Sequence, residues 1–240
     1  DVRRAVAERQ SAIMLLASAP FTQLEPVVTK LLDARQPLDV QLSAVSALAA
    51  SDDVGVARAL LSGWKTHSPK VQTAALDAIF RHQQRLSALV DAIEQKTIPV
   101  QVLDSLRRSQ LLSHPNESLG QRAQSLLAAQ QSNPDQQQML ARYQAALAGL
   151  RDARRGQKLF EEQCQRCHSL QGRGTNLGPD LGGTKGRAEE TLLLDILQPS
   201  AQITAGYRSY TVETVNGDSF TGILSAETAT SITLPGETGK

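Results

Sequence analysis

The sequence predicts a mainly α protein: a stack of helical pairs followed by a small C-terminal domain with a short antiparallel β insertion. Three observations predict this. Apolar residues recur at helical spacing through the first 150 residues, and short phrases in that half return about thirty positions later. After it the composition changes: the last 90 residues hold both cysteines and most of the glycine, then turn rich in Thr, Val and Ile. A length of 240 residues suits two ordinary domains better than one. The expected divisions are helical repeats over 1–130, a linker and connecting helix over 131–151, and a C-terminal domain over 152–240 with a β-hairpin or meander at 206–234.

The helices justify themselves in order. Val40, Ala44, Val45 and Leu48 share one helical face, as do Val71, Ala75, Leu76 and Ile79. Val40-Gln41-Leu42-Ser43-Ala44 is echoed by Val71-Gln72-Thr73-Ala74-Ala75, 31 positions on. Ser11-Ala12 and Leu16-Ala17 are echoed by Ser43-Ala44 and Leu48-Ala49, 32 positions on, and a weaker copy starts at Val100-Gln101. Further helices are expected at about 21–34, 53–63, 85–95 and 117–129. Pro37, Ser68-Pro69, Pro99 and His114-Pro115 stand at or near helix starts. One helical pair cannot bury its own apolar face, so neighbours must stack. The pattern resembles HEAT-like repeats and implies an α-solenoid of about four hairpins, with a plain helical bundle as the alternative. The repeats leave open whether this half is a docking surface or a spacer.

His67, His82 and His114 show no metal-ligand spacing and read as surface or cap residues, while Trp64 reads as a packing residue. Gln130 to Asp135 reads as a linker with Asp135 as an N-cap, and a connecting helix follows from about Gln136 to Leu150.

Charge excludes some functions. Lys and Arg number 25 against 24 for Asp and Glu, so the basic excess of a nucleic-acid binder is missing. No apolar run approaches the roughly 20 residues of a membrane span. The chain opens on Asp1-Val2-Arg3-Arg4 rather than a signal peptide, and an incomplete N-terminus is the expectation.

The chemistry lies in Cys164-Gln165-Arg166-Cys167-His168, which contains both cysteines of the chain. Cys-x-x-Cys-His is the signature for covalent attachment of a c-type haem. Two thiols on one turn of backbone can form thioethers with two porphyrin vinyl groups, and the adjacent imidazole lies beneath the iron as proximal ligand. A thioredoxin-like dithiol needs no histidine and sits in a βαβ context absent here. A zinc site needs a fourth ligand, and no Cys or His follows His168. The glycine-rich stretch after it is no phosphate loop, since it reads Gly183-Thr184-Lys185.

A helix is expected over Gly156 to Cys164 and another from about Ala188 to Leu197, closed by Pro199. Strands are expected at Tyr207 to Val215, Ser219 to Leu224 and Ser231 to Leu234, with a hairpin turn at Asn216-Gly217.

Residues 152–200, with Gly178-Pro179-Asp180-Leu181, resemble a class I cytochrome c domain. The resemblance implies that Pro179 packs near His168 and that a nearby backbone carbonyl fixes the imidazole's tautomer. Leu197-Gln198-Pro199-Ser200, Gly206-Tyr207 and Thr221-Gly222-Ile223-Leu224 extend the likeness. Over about 150–240 the chain resembles the haem-binding C-terminal module of large secreted proteins common in planctomycetes and verrucomicrobia. There the module often follows helical repeats, with a dehydrogenase-like β-propeller upstream.

One feature departs from that pattern. A haem of this class takes a Met sulfur as sixth ligand, yet the only methionines are Met14 and Met139. In the resembling proteins a Met-bearing loop and a closing helix follow the strands, so C-terminal truncation is the expectation. Met139, Lys185, Tyr207 or Tyr210 as ligand, or an open sixth position, are the alternatives. Arg173 and Arg187 are candidates to pair with haem propionates. Glu161-Glu162 and Glu189-Glu190 read as solvated helix surface.

The leading function is an electron-transfer module with one haem c, passing single electrons between an attached or partner dehydrogenase and another carrier, as a subunit or domain of an oxidoreductase. A haem enzyme or ligand sensor with an open iron, and an interaction scaffold, are the rivals. Haem is joined to apocytochrome thiols outside the bacterial cytoplasm, so a periplasmic or extracellular location is implied.

Overall fold

The computed structural model describes residues 3–131, 134–199, 203–204, 206–228 and 230–235, with the side chains of 130–137 excepted. Helices make up 57% of the chain and the strands are few, short and antiparallel, so the protein is mainly α. It divides into two compact units. One comprises Asp1–Val102, Arg107–Leu126 and Thr228–Thr230, and the other Leu103–Leu106, Leu127–Glu227 and Ser231–Lys240.

In the first unit the helices are α1 (Val6–Leu16), α2 (Phe21–Val28), α3 (Leu38–Ala49), α4 (Gly55–Leu61), α5 (Pro69–Phe80), α6 (Leu86–Glu94), α7 (Ser105–Leu112) and the start of α8 (Glu117–Gln131). They pack in two layers: α3 lies against α1 and α5, and α4 lies against α2 and α6. Ion pairs extend the alternation. Arg107 of α7 reaches Asp77 of α5 at 2.5 Å and stacks over Phe80, while Arg122 of α8 bridges Asp91 and Glu94 of α6. Echoed positions occupy equivalent places, for Val40 and Val71, and Ala44 and Ala75, are all fully buried.

Local chemistry sets the helix ends. The Ser68 hydroxyl accepts from the Val71 N–H, with Pro69 at the first helical position where no N–H is needed. Pro26 removes a donor inside α2, which tightens into a 3-10 turn at Thr29–Leu32 and ends before the expected 34. The weak repeat at Val100 is a 3-10 turn, with α7 starting five residues later. α8 and α9 take up most of the expected linker, and Ser132-Asn133 lie outside the described residues. Asp135 falls inside α9 (Pro134–Ala146) rather than capping it, and its side chain lies outside the described residues too.

Two polar side chains are buried without any sign of it in the sequence. His67 caps the 3-10 turn Trp64–Thr66 as expected, but it is buried at 6% exposure rather than on the surface, with Gly63 against its ring and Nδ1 without a partner. Burial pushes its pKa down. Arg85 is fully buried, donating to the carbonyls of Ala78 and Ser51. His82 and His114 do serve near helix starts: His82 precedes a 3-10 turn, and His114 Nδ1 accepts from the Asn116 N–H at 3.1 Å.

The second unit contains α9, α10 (Ala153–Gln163), α11 (Glu189–Leu197) and six short strands. β1 (Ser169–Leu170) pairs with β2 (Arg173–Gly174), and β3 (Ser209–Glu213) with β4 (Ser219–Ile223). β5 (Ala226–Glu227) pairs with β6 (Ile232–Thr233), so the last expected strand belongs to a separate hairpin and not to a continuous meander. The β3–β4 loop closes through Gly217 N–H to Thr214 O and Thr214 N–H to Asp218 O, with Gly217 at φ +88°. That is a type I turn followed by a left-handed residue, which glycine tolerates best. Among the described residues no helix is long and apolar enough to cross a membrane.

Candidate haem site

The site begins where α10 ends. Asp152 caps that helix, accepting from the Arg154 and Arg155 N–H groups at 2.9 and 3.0 Å, and Cys164 terminates it. The chain then turns once. The N–H groups of Cys167 and His168 both donate to the Cys164 carbonyl, at 3.1 and 3.0 Å. One turn of backbone therefore carries two free, half-buried thiols and the imidazole.

A short hairpin follows directly. Gln171 and Gly172 both take positive φ, 53° and 75°, making a two-residue turn matched to strand twist. Gly174 faces the His168 carbonyl so closely, at φ +102°, that no side chain fits. Thr175 Oγ1 donates to the Arg166 carbonyl at 2.6 Å, tying the hairpin back to the cysteine turn.

The loop at 177–180 then holds the imidazole. His168 Nδ1 lies 2.8 Å from the Pro179 carbonyl oxygen. A carbonyl can only accept, so Nδ1 donates to Pro179, and Nε2 is the ring nitrogen that this loop leaves unengaged. Gly178 lies flat on the ring: a Cβ there would meet Cε1 at 2.6 Å and Nδ1 at 2.8 Å. Its N–H donates to the Cys167 carbonyl at 2.5 Å, so only glycine permits both contacts. Beyond Pro179, Asp180 accepts from the Ser169 hydroxyl at 2.5 Å and the Gly182 N–H at 2.7 Å, and these bonds hold its carboxyl below the ordinary range.

A cavity of about 350 Å³ opens beside this turn. Cys167, Leu177 and Gly178 line it, together with Tyr207, Thr221 and Ile223 from the β3–β4 hairpin and its approach. Its volume falls at the lower end of the ~300–1,000 Å³ of ligand pockets.

The residues present fit haem c. Two thiols stand one turn apart, the imidazole has Nδ1 bound to the Pro179 carbonyl with Nε2 left for a metal, and Gly178 lies flat on the ring.

The remaining predicted residues are placed as follows. Arg173 approaches Glu161 at 3.8 Å, and Arg187 pairs with Asp195 at 2.7 Å. Met139 lies on α9, 44% exposed. Of Met139, Lys185, Tyr207 and Tyr210, Tyr207 alone lines the cavity. Burial pushes the Tyr210 hydroxyl above its ordinary pKa, which disfavours the phenolate an iron ligand requires.

Sequence reasoning missed Ser169, Asp180, Gly174 and the β1–β2 hairpin. Asp180-x-Gly182 is a recognisable side-chain-to-backbone turn and Gln171-Gly172 a turn dipeptide. Nothing in the sequence announced the Ser169–Asp180 bond.

Comparison with known families agrees with this geometry. Residues 153–230 match the Cytochrome c family. The chain therefore carries a C-terminal cytochrome c module, with the haem-based electron-transfer role such a module implies. No curated protein and no solved structure shows significant similarity to the chain.

Proposed function

We propose that the second unit holds one haem c through Cys164, Cys167 and His168 and passes single electrons between a dehydrogenase, fused or separate, and another carrier. The observation that carries the reading is the His168 Nδ1–Pro179 O contact of 2.8 Å beside two free thiols. It leaves the imidazole preset as a metal ligand through Nε2.

Haem c supplies the one-electron couple when bound. The chain supplies the rest. Cys164 Sγ and Cys167 Sγ would hold the group through two thioether bonds, and His168 would supply the imidazole ligand. Pro179 holds the Nδ1 proton and so fixes which nitrogen faces the metal. Gly178 lets that loop approach, and Leu177, Tyr207 and Ile223 line the cavity beside Cys167. Arg173 and Arg187 are the propionate partners in this reading. No methionine lies between His168 and Lys240, so a Met sulfur as second ligand would have to come from outside residues 169–240.

The two helical layers of the first unit support a HEAT-like solenoid that presents the module to its partners. Attachment chemistry supports a periplasmic or extracellular setting. The test is expression with the haem-maturation machinery, followed by acid–acetone extraction and a potentiometric titration. One haem per chain should resist extraction and titrate as a single one-electron couple. Complete extraction of the haem would refute the proposal.

A further inference from the structure

We propose that Ser169 and Asp180 are positioning residues for the His168 imidazole and that their hydrogen bond sets the reduction potential of the site. This rests on the haem reading above. Two consecutive cross-links join the same two stretches of chain. His168 Nδ1 meets the Pro179 carbonyl at 2.8 Å, and the next residue on each side forms the second link, Ser169 Oγ to Asp180 Oδ2 at 2.5 Å.

The second link is the stiffer one. A hydroxyl donating to a carboxylate is charge-assisted, shorter and roughly twice as strong as a neutral hydrogen bond. Both of its ends are anchored. Ser169 is 6% exposed and starts β1, held by the Leu170–Arg173 hairpin. Asp180 is fixed through its other oxygen, which accepts from the Gly182 N–H at 2.7 Å at the start of the 3-10 turn Leu181–Thr184. That turn is closed in its own right by Thr184 Oγ1 donating to the Leu181 carbonyl at 2.6 Å.

One peptide bond separates each end of the clamp from the imidazole contact. The Pro179 carbonyl belongs to the planar unit that leads into Asp180, and Ser169 follows His168 directly. Fixing Ser169 Oγ on Asp180 Oδ2 therefore fixes the approach of Pro179 O to Nδ1–H. A tight Nδ1–H···O bond raises the basicity of Nε2, which favours the more positive, oxidised metal. Loosening the clamp weakens that bond and raises the potential.

The experiment compares Ser169→Ala, Ser169→Thr and Asp180→Asn in the holoprotein, reading reduction potential and the solvent exchange of the His168 Nδ1 proton by NMR. Ser169→Ala keeps the carboxylate charge and removes only its donor. At fixed ambient potential it should lower the oxidised-to-reduced ratio about threefold, a rise of ~30 mV at 59 mV per tenfold, and the Nδ1 proton should exchange faster. Ser169→Thr restores the hydroxyl and should return both values to those of the parent. Asp180→Asn should shift the potential in the same direction. Parent values in Ser169→Ala, or an equal shift in Ser169→Thr, would overturn the clamp. Should Ser169→Ala lose its haem, an unshifted Asp180→Asn has the same force. Failure of the parent chain to bind haem covalently defeats the haem reading itself, a result distinct from normal haem with an unmoved potential.

Discussion

At the residue scale, the imidazole contact depends on a missing side chain. A methyl at Gly178 would stand 2.6 Å from the His168 ring, so Gly178→Ala must push the loop away from it. Haem should still attach, because the thiols are untouched, yet the fold should lose about 1–3 kcal/mol of stability in denaturant melts, as overpacked sites do. An unchanged midpoint and potential would contradict the contact. His67 supplies a second prediction. Burial lowers its pKa in the folded state, so the unfolded chain binds more protons near and below pH 6.5. The stability contribution is intact above that value and is lost as pH falls. His67 lines a cavity with Lys30, Asp33 and Arg35, where the Arg35 guanidinium holds the Asp33 carboxyl well below the usual range. His67→Leu should flatten the loss between about pH 6.5 and 5 in urea melts; the same slope in both proteins counts against it. The turn proposed to hold the haem was legible in the sequence, because Cys164, Cys167 and His168 stand at a distinctive spacing. Gly178, Ser169 and Asp180 were less so, since their roles arise from which backbone lies across from them.

At the element scale, helix ends were legible where proline or serine wrote them, as at Pro37 and Ser68-Pro69, and poorly elsewhere. The helix expected over 21–34 breaks down because Pro26 removes a donor, and strands shrink because pairing, not alternation, sets their length. Lys96 offers a test of local strain. It ends α6 at φ 57°, with the Thr97 and Ile98 N–H groups turning back to the Ala92 carbonyl. A left-handed residue with a Cβ costs about 1–2 kcal/mol, which glycine avoids. Lys96→Gly should raise stability by roughly 0.5–1 kcal/mol, the unfolded-chain entropy taking back the remainder. A destabilised variant would show that the Lys96 side chain contributes more than its backbone costs. Arg85 is the opposite case, a charge buried among helices where the periodicity predicted none. Arg85→Ala leaves the Ala78 and Ser51 carbonyls without their donor and should cost about 2–4 kcal/mol in chemical denaturation.

At the scale of the whole molecule, the two units are built differently. Leu24, Leu48, Leu60, Ile79 and Leu89 are among the fully buried side chains of the first. Among the described residues, no apolar side chain after Leu126 is buried to that degree. Burying apolar area contributes roughly 25 cal/mol per Å², so the second unit has far less of this stabilisation from its protein atoms alone. A group that binds the folded form adds stability by linkage. In a Cys164→Ala/Cys167→Ala chain, amide exchange should be slow over 38–94 and fast over 153–197, and haem attachment should slow only the second stretch. Equal protection in both forms would mean the second unit folds without its cofactor. The change in composition after residue 150 was the visible trace of this difference, whereas its energetic meaning required the burial of each unit.

The most direct test uses the one arginine between the cysteines. Trypsin cleaves after Lys158, Arg166 and Arg173, which places Cys164 and Cys167 on separate peptides, 159–166 and 167–173. Mass spectrometry of the digested holoprotein should find these two peptides joined through a single haem, with neither thiol open to alkylation. Recovery of the two peptides separately, each with an alkylated cysteine and no haem mass, would contradict the account.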